Sequence, residues 1–346
     1  MKSKITKKRI IHLIPSNTIG GVESAAKTSI GIKSNKFIFS IKILSKQKKT
    51  KNLFLKTKSF IDIFFSTFQV LNLKPDFLIV SLWKSCLSAL IIKFLKPSTK
   101  IILFLHLPKS VNFIDFLLNF VTAKIAYQIW SDSLTTLEKR GEELRLDIKV
   151  KKRIISFLAY KLNPNVKNEK FINFIFWGRL AKEKRIDLSI KLFAKISENI
   201  KDSKFLIIGP DCGELTRLKK QRDDLNLRDR IIFIPPLDIN SIKEISQECL
   251  FFLQLSKEEG LGMSIVESMQ LGLIPLVTNV GEIKNYCINN QNSIIYNDLE
   301  STKKIILNLI KNKKQIETLK YNAVKKWTKA ITYREDLKNA IESLFD

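Results

Sequence analysis

The stretch CLFFLQLSKEEGLGMSIVESMQLGLIP, Cys249–Pro275, carries the most informative pattern in the chain. An apolar run leads into a loop with two glycines, and helical spacing of apolar residues follows before a second apolar run. Glu259 lies in the loop, and Glu267 falls about one turn into the predicted helix. The glycines of such a loop let the backbone approach a ligand closely, and the partial positive charge at the start of a helix stabilises a bound anion. The amides that open this helix belong to Gly262, Met263 and Ser264.

A second stretch, FINFIFWGRLAKEKRIDLSI at Phe171–Ile190, repeats the order of strand, glycine and helix. Gly178 follows the apolar run, and the cations Arg179 and Lys184 flank a short loop before helical spacing begins near Arg185. Two cations at the carboxyl end of a strand, next to a helix start, suit a diphosphate. The pattern therefore predicts an anion site.

Both stretches also have a plainer interpretation. Basic residues in loops are commonly solvated, so Arg179 and Lys184 need not bind a ligand. Ser264 and Glu267 have the S-x-x-E spacing of a capping box, in which the two side chains satisfy backbone amides at a helix start. The sequence alone leaves these alternatives open.

Short apolar runs rich in Ile, Val and Phe alternate with segments of helix length along the whole chain. Continuous apolar strands are typical of parallel sheets covered by helices on both faces. A polar stretch, Lys161–Lys170, separates two halves of this kind. The sequence thus predicts an α/β protein with two doubly wound Rossmann-like domains facing a cleft, where ligands bind beyond the carboxyl ends of the strands. The predicted strands lie near Arg9–Ile14, Phe37–Leu44, Phe77–Leu82, Lys100–Leu105, Ile125–Trp130, Phe171–Trp177, Lys204–Ile208, Arg230–Ile234, Leu250–Leu253, Ile274–Thr278 and Ser293–Ile295.

Length and composition restrict the class of protein. The 346 residues suffice for two domains, and 45% hydrophobic residues exclude a largely disordered chain. No apolar run reaches the roughly 18–20 residues of a membrane-spanning helix, and Ile10–Ile14 is too short for a secretory signal, so it predicts a first strand. Without a CxxC pair, the cysteines indicate buried, reduced thiols. They are Cys86, Cys212, Cys249 and Cys287.

The net charge of +27 is concentrated in the first half of the chain. Residues 1–167 carry +22, whereas residues 168–346 carry +5. This asymmetry predicts that something anionic faces the first half. Nucleic acid is not the expected partner, because the sequence shows no RNP pattern, zinc knuckle or helix-turn-helix, and its Phe residues lie in apolar runs.

Together, GR-x4-K at Gly178–Lys184 and E-G-x-G-x4-E at Glu259–Glu267 resemble the donor-binding half of retaining glycosyltransferases of family 4, the group 1 type with the GT-B fold. The stretch FLIIGPDCGEL is similar to the family's strand that ends in a glycine turn, here at Gly209. The resemblance implies an acceptor-binding domain, a donor-binding domain and a last helix that crosses back to the first domain. These correspond to residues 1–163, 164–327 and 328–346.

The first half resembles the family more weakly. Gly20 and Gly21 follow the first strand, where the family has a glycine-rich loop near the donor phosphates, and Glu23 comes shortly after. His106 follows the strand KIILFL, where the family often has a histidine in the cleft. The resemblance implies that His106 lies against the transferred sugar, and the alternative is a histidine satisfied within the fold at a strand end.

The resemblance implies transfer of a sugar from a UDP- or GDP-sugar with retention of anomeric configuration. It implies no metal and no other cofactor, since cations and amides stabilise the leaving diphosphate. A catalytically silent relative that binds nucleotide sugars is the alternative. The catalytic residues implied are Glu259, Arg179, Lys184 and His106. The donor-binding residues implied are Gly20, Gly21, Gly178, Arg179, Lys184, Gly209, Glu259, Gly262, Met263, Ser264 and Glu267.

The implied acceptor is a saccharide or a lipid-linked molecule, and the basic first domain predicts contact with an anionic membrane surface. One candidate segment is the lysine-rich Lys46–Lys58. The other is a helix over Lys109–Lys124 with a narrow polar stripe and a wide apolar face. The alternative interpretation is that its own domain covers this face. We expect a cytoplasmic enzyme at the inner face of the cytoplasmic membrane that helps make a bacterial surface polysaccharide, such as O-antigen, capsule or lipopolysaccharide.

Overall fold

The computed structural model describes residues 7–16, 21–45, 53–164 and 172–345, except for the side chains of residues 16 and 53–60. The chain divides into two compact units. The first unit comprises Met1–Tyr160 and Ile331–Asp346, and the second unit comprises Lys161–Ala330. Each unit is built on its own parallel sheet.

The first unit has six parallel strands in the order β2-β1-β3-β4-β5-β6. These strands are β1 (Lys8–Ser16), β2 (Phe37–Ser45), β3 (Phe77–Ser81), β4 (Lys100–Leu105), β5 (Gln128–Ser131) and β6 (Lys151–Ile154). The helices between them are α1 (Gly21–Thr28), α2 (Leu53–Asn72), α3 (Trp83–Leu95), α4 (Phe113–Ile125) and α5 (Leu134–Glu143). The side chains of β3 and β5 are buried along their whole length, as expected for inner strands covered on both faces.

The second unit repeats this plan with the strand order β12-β11-β10-β7-β8-β9. Its strands are β7 (Asn173–Trp177), β8 (Phe205–Ile208), β9 (Ile231–Ile234), β10 (Cys249–Gln254), β11 (Ile274–Val277) and β12 (Ile294–Ile295). Its helices are α6 (Ile186–Ser197), α7 (Leu215–Asp224), α8 (Ile239–Ser246), α9 (Met263–Gln270), α10 (Ile283–Tyr286), α11 (Leu299–Leu309) and α12 (Lys313–Thr328), and a 3-10 turn covers Lys182–Lys184.

The last helix, α13 (Tyr333–Glu342), belongs to the first unit. The Tyr333 amide donates to the carbonyl of Leu158 at 2.8 Å. Asp336 forms an ion pair with Arg153 of β6 at 3.1 Å and accepts from the Ser156 amide at 2.7 Å. These bonds hold α13 against the end of the first sheet.

The predicted α/β class with two doubly wound parallel sheets is confirmed, and each predicted strand has a counterpart in the structure. The sequence did not reveal β6, because KKRI is an exposed edge strand with no apolar run to mark it. The last helix expected within residues 328–346 is α13, which begins only at Tyr333 because the chain breaks after α12 ends at Thr328. Cys212 is exposed, unlike the other three cysteines, because it lies in the turn after β8.

None of the helices in the described ranges combines the length and the apolar character needed to cross a bilayer. Of the two segments predicted to contact a membrane, residues 46–52 lie outside the described residues, and α4 corresponds to the second.

A buried ion pair fixes α4 against α5. The Arg140 guanidinium lies 3.1 Å from Asp115, and both side chains are almost inaccessible to solvent. Arg140 also donates to the Ser110 hydroxyl and, at 2.6 Å, to Glu143. Because a buried charge is tolerated only when it is paired, this cluster sets the rotation of α4 about its own axis.

We predict that Arg140→Met lowers the free energy of unfolding by about 3–5 kcal/mol, because it leaves the Asp115 carboxylate buried without its partner. Urea unfolding of the full chain, followed by circular dichroism, measures the change. Arg228→Met is the control, since it removes an arginine that pairs with Asp223 at 2.7 Å at the surface. Equal shifts in the two variants would contradict the structural role of Arg140.

Candidate functional site

Two glycine turns meet at the carboxyl edge of the second sheet. Gly178 follows β7 and Gly209 follows β8. Gly209 has a φ of 152°, and a Cβ at this position would overlap the carbonyl oxygen of Gly178. The amide of Leu180 donates to the Pro210 carbonyl at 2.9 Å, and so the loop after Gly178 is held in place by its neighbour. Only glycine fits so close a backbone approach.

Lys184 and Glu259 form an ion pair between the loops that follow β7 and β10. Their side chains are only 14% and 8% exposed, respectively. The Lys257 amide donates to the Glu183 carbonyl at 2.8 Å, which ties the same two loops through their backbones. The structure thus brings together two predicted site residues that are 75 positions apart in the sequence.

The Glu259 carboxylate is the centre of a hydrogen-bond network. Its Oε1 atom accepts from Gln254 Nε2 at 2.5 Å and from Ser256 Oγ at 2.9 Å, in addition to Lys184. Gln254 Oε1 in turn accepts from Ser264 Oγ at 2.8 Å. Oε2 of Glu259 takes part in none of these bonds. Gln254 and Ser256 were not predicted from the sequence, although a polar side chain at the end of an apolar run was a usable signal; both are buried.

The helix start predicted at Gly262 is present. Gly262 is the N-cap residue of α9 in the left-handed conformation, with a φ of 76°. A Cβ there would lie 2.9 Å from the Tyr286 hydroxyl, which donates to the Leu261 carbonyl at 2.6 Å. Met263 and Ser264 are therefore the first two helical residues, and their amides belong to the end of the helix that carries partial positive charge.

Glu267 does not form a capping box. No side chain caps α9, and Ser264 bonds to Gln254 instead. Trp177 Nε1 donates to Glu267 Oε2 at 2.8 Å. Burial raises the pKa of Glu267 to about 7, and the bond from Trp177 opposes that shift. Trp177 is a third residue of this edge that was not predicted from the sequence, although it directly precedes Gly178.

Arg179 is less confined than Lys184. Its guanidinium donates to Glu183 at 2.9 Å, and both side chains are substantially exposed. An exposed pair of this kind contributes little to stability, so an anion can displace Glu183 at small cost. Its proposed contact with a phosphate stays a prediction.

His106 lies in the first unit, directly after β4, and is buried. Its Nδ1 is 3.3 Å from Asp132 Oδ2, and its Nε2 is 2.9 Å from Ser81 Oγ. Ser81 Oγ is also 2.8 Å from Nε2 of His12. Burial, and secondarily the electrostatic influence of the neighbouring His106, lowers the pKa of His12 to about 3. Both nitrogens of His106 therefore have partners within the fold, as the alternative interpretation expects, and its contact with a sugar stays a prediction.

None of the contacts described above joins His106 to the other candidate site residues of the first half, which are Gly20, Gly21 and Glu23. Gly20 lies outside the described residues. Gly21 begins α1, and Glu23 is buried in the first turn of that helix. Their roles stay predictions. In the described ranges, no group of three or more His, Cys, Asp or Glu side chains is placed to hold a metal ion.

Comparison with known proteins relates the second unit to a family. Residues 161–326 match the family model described as glycosyl transferases group 1. An uncharacterized glycosyltransferase of Bacillus subtilis strain 168, YqgM, is 26% identical over 38% of this chain and 36% of its own length. The alpha-monoglucosyldiacylglycerol synthase of Acholeplasma laidlawii is 25% identical over 48% of this chain and 41% of its own length. The chain thus spans less than half the length of these curated relatives.

In structure, the chain is similar to Anabaena Alr3699/HepE, which was solved in complex with UDP and in complex with UDP-glucose. For the UDP complex the TM-score is 0.77 at 15% identity, covering 97% of this chain and 99% of that chain. At this identity the likeness establishes the fold, which is GT-B. Residues 161–326, which contain both motif-bearing loops, match the group 1 glycosyltransferases, and the fold agrees with that match.

Proposed function

We propose that this chain moves a sugar from a UDP- or GDP-sugar to a lipid-linked or saccharide acceptor, with retention of anomeric configuration. The observation that carries the proposal is the Lys184–Glu259 pair, which the bonds through Gln254 link to Ser264 in the first turn of α9. A cation, a carboxylate and a helix start thereby share one edge of the second sheet. These are the groups that binding a sugar with an attached diphosphate requires.

Departure of the nucleoside diphosphate leaves negative charge on a phosphate oxygen. Lys184 and the amides at the start of α9 are held in place before the reaction, so they need little reorganisation to stabilise that charge. One well-aimed donor of this kind is worth about 2.7–4 kcal/mol. Arg179 can add a second cation by exchanging Glu183 for phosphate. Glu259 holds Lys184 through Oε1 and offers Oε2 to a sugar hydroxyl.

Retention requires that the acceptor attack from the face on which the diphosphate departs. In the proposed reaction, the acceptor oxygen forms a bond to the anomeric carbon while the bond from that carbon to the diphosphate oxygen breaks. The acceptor's proton passes to the departing phosphate. The side chains at the site orient the donor and stabilise charge, and the proposal assigns no step to a metal ion.

The proposed acceptor class rests on the charge of the first half and on a relative. Residues 1–167 carry +22, which favours an acceptor at an anionic bilayer surface. The Acholeplasma relative is named for a glucosyl diacylglycerol, which is a lipid. We assign the chain to bacterial surface polysaccharide synthesis, at the inner face of the cytoplasmic membrane. A silent nucleotide-sugar-binding relative is the competing proposal, and turnover measurements decide between them.

We predict that Lys184→Ala and Glu259→Ala each lower the turnover of the donor sugar at least tenfold, because each removes one half of the pair at the site. Hydrolysis of nucleotide sugars, screened with UDP- and GDP-linked donors, measures the effect without a known acceptor. Lys182→Ala and Glu258→Ala are matched controls, since both side chains are exposed in the same two loops. Near-normal turnover in either site variant would remove the pair from the mechanism, and no turnover in the wild type would favour the silent relative.

Glu267 gives a prediction about pH. A ribose hydroxyl donates to the carboxylate, so binding strengthens as Glu267 ionises across its pKa of about 7. From pH 6 to pH 8 the ionised fraction rises about tenfold, and the affinity for a nucleotide sugar should rise with it. The donor itself has no ionisation in this range, because its diphosphate is esterified at both ends.

Calorimetric titration at several pH values tests this prediction. Glu267→Gln should bind more weakly and show a flat pH profile, whereas the exposed Glu258→Gln should keep the wild-type profile. An unchanged pH dependence in Glu267→Gln would assign the titration to another group.

We further predict that the product keeps the donor's anomeric configuration and that EDTA does not abolish turnover. NMR of the anomeric centre in the product determines the first point, and a chelator titration determines the second. An inverted centre, or activity lost to EDTA and restored by manganese, would contradict the proposed mechanism.

A further inference from the structure

Helix α4 directs its polar stripe toward the interior of the first unit, unlike an ordinary surface helix. Its polar residues Asp115, Asn119 and Thr122 face inward and are buried. Asp115 pairs with Arg140, and Asn119 Nδ2 donates to Asp115 Oδ1 at 2.8 Å. A surface helix normally turns its apolar stripe to the core and its polar face to water. Here the buried charge pair turns the polar stripe toward the interior.

The apolar residues of α4 divide between the core and the surface. Phe116, Leu118 and Phe120 pack against the core of the first unit, so the domain covers part of the predicted apolar face. Phe113, by contrast, is 73% exposed. Ile114, Leu117 and Val121 share this exposed side.

Two further helices extend the exposed apolar side. α3 contacts both α2 and α4, so the three helices form one layer. Phe65 of α2 is 72% exposed and Phe94 of α3 is 84% exposed. On α2 the exposed side chains follow the spacing of one helical face, at Ile61, Phe64, Phe65 and Phe68. We call the outward side of α2, α3 and α4 the apolar face. Exposed apolar area spread over three adjacent helices marks an interaction surface.

Charge indicates what covers the apolar face. Lys109 precedes α4, Lys124 lies in its last turn, and Lys93 lies in the last turn of α3. Lys93 and Lys124 each donate to backbone carbonyls, which leaves their positive charge uncompensated by those bonds. The sequences of the three helices contain only two acids, Asp62 and the buried Asp115. A second copy of this face would bring lysines against lysines, whereas an anionic surface would attract them.

We propose that the apolar face is a membrane-docking surface that inserts its phenylalanines into a bilayer containing anionic phospholipid. Lysines at the rim contact the headgroups, and the apolar side chains between them enter the acyl boundary. The inference deepens the proposed function and rests on it in one respect, namely that a lipid-linked acceptor lies in that bilayer.

The experiment compares the full chain with Phe65→Gln/Phe94→Gln/Phe113→Gln in cosedimentation with vesicles. One vesicle type is phosphatidylcholine alone, and the other also contains phosphatidylglycerol. Because the three side chains are exposed, their replacement removes little internal packing. A matched control, Ile148→Gln/Ile288→Gln/Tyr321→Gln, replaces three exposed apolar side chains outside the apolar face.

We expect the wild type and the control to bind phosphatidylglycerol vesicles, and the triple phenylalanine variant to bind them at least tenfold more weakly. At 1 M salt, where the Debye length is about 3 Å, residual binding should persist in the wild type and disappear in the variant. Burial of hydrocarbon is not screened by salt.

Two outcomes would overturn the inference. One is equal vesicle binding by the wild type and the phenylalanine variant. The other is self-association of the wild type, abolished in the variant, without vesicle binding, which would make the apolar face an interface between copies. Donor hydrolysis in vesicle-free buffer is measured in parallel. If vesicle binding fails while hydrolysis persists, the membrane-docking inference is wrong and the proposed transferase stands. If vesicle binding persists while hydrolysis fails, the docking surface stands and the proposed transferase activity is wrong.

Discussion

The ion pair between Lys184 and Glu259 is the constraint on which the second unit's carboxyl edge depends. Removing an ammonium and a carboxylate from water is costly, and it is tolerated only where the partners and further hydrogen bonds compensate. Gln254 and Ser256 provide those bonds to Glu259. Since the participants come from the loops after β7 and β10 and from β10 itself, their pairing determines how the two loops approach each other.

The first unit applies the same principle with two histidines, a serine and a carboxylate. Ser81 ends β3, His106 follows β4 and Asp132 follows β5, so three neighbouring strands deliver polar side chains to one edge. The Ser81 hydroxyl has a single proton and therefore donates to one histidine while it accepts from the other. With the Nδ1 proton of His106 directed at Asp132, the chain of donors runs from His12 through Ser81 to His106. This order fixes the tautomer of each ring.

What the sequence could predict was local. Strand, glycine turn and helix start are encoded within a few consecutive residues, and so the loops at Gly178 and Gly262 were found from spacing alone. Gln254, which donates to Glu259, and Trp177, which donates to Glu267, were not found, because each is a single polar group at the end of an apolar run. Their role depends on β10 lying beside β7 in the sheet, which no local pattern encodes.

Helix α4 is a second case in which a local sequence pattern could not predict the structure. Periodicity revealed that the helix has a polar stripe and an apolar side, but it could not tell which of them faces inward. Arg140, on a different helix, decides the matter by pairing with Asp115. An amphipathic pattern therefore predicts the existence of two faces, and a buried charge on another helix can turn the polar one inward.

The bond between Trp177 and Glu267 has a spectroscopic consequence. The indole nitrogen donates directly to a carboxylate whose pKa burial has moved to about 7, so the two charge states of that carboxylate place different electric fields on the ring. Indole emission responds to such a field. Trp177 is therefore an intrinsic optical reporter of the ionisation of Glu267, and replacing the other three tryptophans would isolate its signal.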